Sequence, residues 1–523
     1  MSDRATDRVR ETEVRKTFAA LLAAGLVLLA GCMDSGGGSS VSVGSRTSPS
    51  TGSTTTAAGV GNLRAYYHQT IHWKACGKDR CGSLSVPVDY HHPSAASTKL
   101  AVEVAPATSG KAIGSLVVNP GGPGAPGVDL ASDASSYFAA PLRAAYDIVG
   151  FDPRGTGRSN PVDCLTDHQL DQFVAEDPDP STPAEVKQFS ASAKEFWHGC
   201  EKRSDSLVDH VSTVDAARDM DILRAALKQS KMDYFGFSYG TKLGATYADL
   251  FPKKVGRMVL DGAMDVRLST RESALHQAAG FQTALTSYVK HCVSGDHCFL
   301  GSTVQQGLHR ISALLDSIAK KPLPTQSGRK LTVGNAFYGV VAPLYSRGMW
   351  QYLDIGLKQA IQGNGSVLLS LSDAYTMRGQ NGGYTDNSME AISVISCLDD
   401  PWSLPPSKIP GQYAAFEKAS PTFGRVFAWG LAACWGDPMR NTDDPHLKID
   451  AAGAAPIVVI GTTRDPATPY EEAVALSREL KSGVLVTRNG DGHTAYNEGN
   501  SCIDDAVHSY LIHGKVPKNG LRC

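Results

Sequence analysis

The five residues Gly236-Phe237-Ser238-Tyr239-Gly240 constrain this chain more than any other feature. They join a short strand-like apolar run, residues 234–237, to a helical pattern over residues 239–250. A serine between two such glycines predicts a sharp strand-to-helix turn, because small residues are needed where the backbone is crowded. The turn lifts the hydroxyl out of the sheet and sets it at a helix N-terminus, where backbone N–H groups favour negative charge.

The surrounding sequence supplies a sheet for that turn. Residues 100–104 alternate apolar and polar side chains. Residues 115–118 form an apolar run that stops at Asn119-Pro120-Gly121-Gly122-Pro123-Gly124, and residues 146–151 form another that ends in Asp152-Pro153-Arg154-Gly155. A helix capped by Thr213 follows, with Ala217, Met220, Leu223, Ala226 and Leu227 at helical spacing. Residues 257–260 read as the next strand. Strands alternating with helices predict a mostly parallel sheet in an α/β fold.

The rhythm breaks after Asp265 and resumes with a strand at 456–460, a helix at 471–480 and a strand at 483–487. With 523 residues the chain exceeds what one core usually supports. The expected organisation is a core of residues 62–265 and 451–523, interrupted by a mainly helical cap, residues 266–450. Such a cap would lie over the strand ends, where open α/β sheets bind ligands.

A serine hydroxyl needs a base to become a nucleophile, and the base needs an orienting acid. Asp465, in Gly461-Thr462-Thr463-Arg464-Asp465-Pro466, follows one late strand, and His493, in Gly490-Asp491-Gly492-His493-Thr494, follows the other. Both fall on the sheet edge that carries Ser238, in the chain order serine, acid, histidine. Asp261, after the strand at 257–260, is a rival acid. Asp491 is close to His493 in sequence but is expected to point elsewhere from so tight a turn. An oxyanion hole needs two N–H donors, for which Tyr239 and Gly122 are the candidates.

The motifs at 119–124, 152–159, 236–241, 461–469 and 490–496 together resemble the secreted tripeptidyl aminopeptidases, bacterial enzymes of the α/β-hydrolase fold related to proline iminopeptidases. The resemblance runs from about residue 65 to the C-terminus. One departure is Pro120-Gly121-Gly122-Pro123, where proline iminopeptidases carry His-Gly-Gly-Pro; it fits the tripeptidyl branch better. The resemblance implies release of tripeptides from peptides with a free N-terminus, through an acyl-enzyme on Ser238. An exopeptidase also requires a carboxylate for the substrate's α-ammonium. Asp399, in Ser396-Cys397-Leu398-Asp399-Asp400, is the candidate, because that segment looks like a recurring element of the family's cap. A carboxylesterase or lipase with the same triad is the alternative, followed by a catalytically silent surface lipoprotein. Nothing in the sequence calls for a metal or organic cofactor.

The first residues carry an address. Arg4, Arg8, Arg10, Arg15 and Lys16 precede an apolar run, 18–30, too short to span a bilayer comfortably but suited to a secretory signal. Leu29-Ala30-Gly31-Cys32 resembles the lipobox of bacterial lipoproteins, which implies signal removal before a lipidated Cys32. Residues 33–61, rich in Gly, Ser and Thr, read as a flexible tether. The expected location is extracytoplasmic, with membrane contact only through the lipid anchor. Of 11 cysteines, Cys32 set aside, an even ten remain, which in an exported chain reads as disulfides. Spacing does not fix connectivity; neighbour pairing is the simplest arrangement: Cys76–Cys81, Cys164–Cys200, Cys292–Cys298, Cys397–Cys434 and Cys502–Cys523. A formal net charge of −2 gives no electrostatic basis for nucleic-acid binding.

Overall fold

A computed structural model describes residues 63–204, 206–295, 297–439 and 449–523. The signal segment, the tether and Cys32 lie outside the described residues.

The ten-stranded sheet is built from β1 (Lys74–Cys76), β2 (Asp79–Pro87), β3 (Ser97–Ala105), β4 (Gly114–Asn119), β5 (Tyr146–Phe151), β6 (Met232–Phe237), β7 (Val255–Asp261), β10 (Ile457–Arg464), β11 (Gly483–Asp491) and β12 (Leu521–Arg522). The small hairpin of β8 (Leu323–Pro324) and β9 (Lys330–Leu331) stands apart from it. The order across the sheet is β1-β2-β3-β5-β4-β6-β7-β10-β11-β12. The first three pairings are antiparallel, and from β5 onward every pairing is parallel. This is the α/β-hydrolase architecture. Its central strands are apolar on both faces, with Leu116, Val118, Phe235, Val259, Val458 and Ile460 in one core layer, as expected when helices cover both sides of a parallel sheet.

Register places the functional edge. Asn119 pairs with Gly236, Phe237 with Asp261, Asp261 with Ile460, and Arg464 with Asp491. The loops leaving these strands therefore emerge side by side at one end of the sheet. β4, flanked by β5 and β6, is the switch point of strand order, where such sheets open a crevice.

Among the described residues, the segment between β7 and β10, which are neighbours in the sheet, is mainly helical and packs its own core of Phe281, Leu285, Ile311, Leu314, Val340, Leu353 and Leu368. Helix Val304–Lys320 shows why: Gly307, Ile311, Leu314 and Ile318 recur every three or four residues and are its buried positions. A second excursion, between β5 and β6, joins this helical layer. The Phe189 ring lies 5.0 Å from Trp429, Arg378 pairs with Asp171, and Arg425 reaches Asp179 at 2.9 Å. Its helix Pro183–Arg203 begins with a capping box of Thr182 and Glu185.

Several expectations shift by a few residues. Ser212, not Thr213, caps helix Thr213–Ala226, accepting from Asp215 N–H. β11 runs to Asp491, four residues past its predicted end, which brings it within two residues of His493. All five cysteine pairs are joined as neighbours: Cys76–Cys81, Cys164–Cys200, Cys292–Cys298, Cys397–Cys434 and Cys502–Cys523.

Candidate active site

Ser238 sits between β6 and helix Tyr239–Leu250 with φ 54° and ψ −125°, a conformation costly for a non-glycine residue. Its neighbours hold it there. Ser238 N–H donates to the Asp261 carbonyl at 2.9 Å. A side chain at Gly236 would run into the Gly240 carbonyl, and one at Gly240 would meet the Asn119 carbonyl at 2.9 Å. Glycine at both positions is thus a steric requirement.

Asp465 and His493 meet as expected. His493 Nδ1 lies 2.8 and 2.9 Å from the two oxygens of Asp465. The carboxylate is wholly buried and is fixed by the N–H groups of Ala467, Thr468 and Thr494 at 3.0, 3.0 and 3.2 Å. With Nδ1–H donating to Asp465, Nε2 carries the free lone pair. Nε2 is buried and has no hydrogen-bond partner among the described residues. Burial alone would lower the imidazole pKa, but the charge of Asp465 and its hydrogen bond outweigh it and hold the value above the ordinary one.

The glycine loop after β4 lies against the serine turn. A Cβ on Gly121 would fall 2.9 Å from Ser238 Cβ and 3.2 Å from Tyr239 N. Gly121 N–H is engaged by Asn119 Oδ1 at 3.0 Å. The N–H groups of Gly122 and Tyr239 make no hydrogen bond among the described residues, which leaves them available to a developing oxyanion.

The rival acids have other work. Asp261 Oδ2 accepts the N–H groups of Ala495 and Tyr496 at 3.0 and 2.9 Å, anchoring the turn after His493. Burial pushes its pKa up to about 6, against the lowering effect of those two N–H groups. Asp491 turns away from the imidazole to Arg464 Nε at 2.6 Å and to the Ser287 hydroxyl.

Asp399 departs from expectation. Its carboxylate already has a cation, Lys242 Nζ at 2.7 Å, and also accepts the N–H of Thr213 at 2.8 Å and its hydroxyl. The Thr213 hydroxyl in turn meets the Tyr239 hydroxyl at 2.6 Å. Asp399 therefore latches helix Ser388–Asp399 to the serine helix and is not an open receptor for an ammonium group. The opposite end of that helix packs on the oxyanion loop, where a Cβ on Gly124 would touch Ala391 Cβ at 2.7 Å.

Tyr345 is absent from the sequence reading. Its carbonyl accepts His493 N–H at 2.7 Å, and its ring stands edge-on to the imidazole at 5.3 Å. The signal for it is indirect: Gly492, with φ +108°, leaves room for that carbonyl, 3.0 Å from where a Cβ would stand.

A nucleophile turn, a histidine bound to a buried carboxylate and two free N–H donors on one sheet edge define a serine hydrolase of the α/β-hydrolase fold. Residues 420–523 match the family described as TAP-like protein. Serine protease Hip1 of Mycobacterium tuberculosis is 36% identical over 479 residues, covering 87% of this chain and 91% of that protein. Carboxylesterase B of the same organism is 36% identical over 453 residues, 85% of this chain and 86% of that one. The tripeptidyl aminopeptidase of Streptomyces lividans is 29% identical over 468 residues, 87% and 86% of the two chains. The chain belongs to this TAP-like family of serine hydrolases.

Proposed function

We propose that the chain is a serine exopeptidase that releases tripeptides from the free N-terminus of peptide substrates. The observation that carries the catalytic part is the bidentate approach of Asp465 to His493 beside the Ser238 turn. Ser238 Oγ attacks the scissile carbonyl as His493 Nε2 takes its proton. The N–H groups of Gly122 and Tyr239 hold the oxyanion. His493 then returns the proton to the leaving amine, and water repeats the sequence on the acyl-enzyme. Asp465 orients the ring and stabilises the imidazolium. The peptide specificity is supported by relatives named as a tripeptidyl aminopeptidase and a serine protease.

The relative named Carboxylesterase B supports a second reading, ester hydrolysis by the same triad. Turnover of a free tripeptide anilide, its N-acetyl derivative and a short acyl ester distinguishes the two. The exopeptidase reading expects cleavage that depends on the free amine. Efficient ester turnover without cleavage of the free anilide would overturn it.

The same reading places the enzyme outside the cytoplasm, tethered through a lipidated Cys32. The five disulfides support an oxidising compartment. Among the described residues no helix is long and apolar enough to cross a membrane. Cys32→Ala should shift the protein from the membrane fraction to the medium; identical partitioning of variant and wild type would contradict the anchor.

A further inference from the structure

One helix of the inserted segment, Thr270–Val293, touches the loops of both triad partners. Gly280 lies on the acid loop so closely that a Cβ there would meet the Pro466 carbonyl at 2.5 Å and the Asp465 carbonyl at 3.1 Å. Two turns further on, the Ser287 hydroxyl donates to Asp491 Oδ1, at the start of the histidine loop. Between them Phe281 packs behind Tyr345, ring centroids 5.7 Å apart.

The backbone of the histidine loop completes the pattern. Four consecutive N–H groups have acceptors: Tyr345 carbonyl for His493, Asp465 for Thr494, and Asp261 for Ala495 and Tyr496. The last three acceptors belong to the sheet edge. The first, at the catalytic residue itself, belongs to the insertion. The Tyr345 ring then closes one side of the imidazole, with its hydroxyl 3.3 Å from that of Tyr375.

We propose that helix Thr270–Val293 and Tyr345 position the acid and base of the triad, so that the inserted segment is part of the catalytic frame as well as a cover. Tyr345 is the principal positioning residue: its carbonyl fixes the His493 backbone and its ring fixes the plane of the imidazole. Displacements of about 1 Å at such a group cost up to about a hundredfold in rate. The inference rests on the reading of His493 as the general base, and the experiment separates the two.

The rate of Ser238 labelling by a fluorophosphonate, with kcat, KM and the pH profile on a tripeptide anilide, is measured for wild type, Tyr345→Ala, Tyr345→Phe, Ser287→Ala and His493→Ala. Tyr345→Ala should slow labelling and kcat by about tenfold or more, with KM changed less than about twofold. The groups facing His493 are Asp465 and Asp261 from the sheet edge, Thr468 from the acid loop and Tyr345 from the insertion. Removing the ring admits water and relieves the burial that opposes protonation, so the acid limb should move to higher pH. Tyr345→Phe keeps the ring and the carbonyl and should restore rate and midpoint. Ser287→Ala, which leaves the core untouched, should slow labelling by about tenfold, the lower end of the scale of one hydrogen bond to a charged group. The proposal is overturned if folded Tyr345→Ala matches wild type in kcat and pH midpoint, or if Tyr345→Phe is as impaired as Tyr345→Ala. Should Tyr345→Ala fail to fold, unchanged labelling in Ser287→Ala overturns it. If His493→Ala itself labels at the wild-type rate, the triad reading fails instead.

Discussion

Asp261 and Asp465 serve the same histidine turn from neighbouring strands, Asp261 through its backbone alone and Asp465 through the imidazole ring as well as the Thr494 N–H. Asp465 receives His493 Nδ1–H, while Asp261 receives the N–H groups of the two residues beyond Thr494. The first contact polarises the imidazole through a hydrogen bond, and the charge of Asp261 adds a weaker pull in the same direction. The division explains how two buried carboxylates coexist here: one faces a group that becomes cationic, and the other, with its pKa raised to about 6, faces backbone dipoles.

The pH dependence of activity follows. His493 must be neutral to act as base, so kcat/KM should rise with pH through its raised pKa, with a midpoint above about 6.5. Asp465→Asn removes the charge that favours the imidazolium, so the midpoint should fall while kcat drops by about 10⁴. Stability carries the same sign. The imidazolium–carboxylate attraction is fully present below the ordinary histidine pKa and is lost as pH rises through the raised value. Asp465→Asn should abolish that component in pH-dependent unfolding curves.

Gly121→Ala tests the approach of the glycine loop to Ser238. The residue has φ +102°, and its Cβ would stand 2.7 Å from the Phe237 carbonyl and 2.9 Å from Ser238 Cβ. The loop must retreat and take the Gly122 donor with it. A loss on the order of 10²–10³ in kcat is expected, as for removal of one oxyanion donor. Steady-state kinetics with KM nearly constant is the check.

Gly280→Ala tests the seat of the inserted helix on the acid loop. The new methyl has no space beside the Pro466 carbonyl, so helix and loop must part. Overpacking of this kind costs about 1–3 kcal/mol. Denaturant unfolding should show that loss together with a lower kcat.

Arg154 carries no chemistry and should behave as a structural residue. It is fully buried, makes two 2.7 Å bonds to Asp219, and donates to the carbonyls of Pro87, Val88 and His210. Arg154→Met strands a buried carboxylate, an event that costs about 3–5 kcal/mol. Unfolding measurements should find that destabilisation, with kcat preserved in the fraction that remains folded.

Local chemistry was legible in the sequence where a few adjacent residues impose it. The serine turn shows through its glycines, the parallel strands through their apolar runs, and the acid and histidine through their places after late strands. Contacts made across the fold were not. Tyr345 acts through a backbone carbonyl, which any residue type supplies, and through a ring that only folding brings edge-on to His493, so neither contact is marked in the local sequence. Asp399 had the right charge for an ammonium receptor, yet its partner, Lys242, lies on a distant helix and appears only on folding. β12 has two residues, too few for a period, and is held where Cys502–Cys523 ties the terminus to the last helix.

The most direct test of the account is to map the residue that reacts. After treatment of the intact protein with a fluorophosphonate, peptide mass spectrometry should find one adduct per chain, on Ser238, and none in His493→Ala treated for the same time. An adduct on another serine, or full hydrolytic activity in Ser238→Ala, would contradict it.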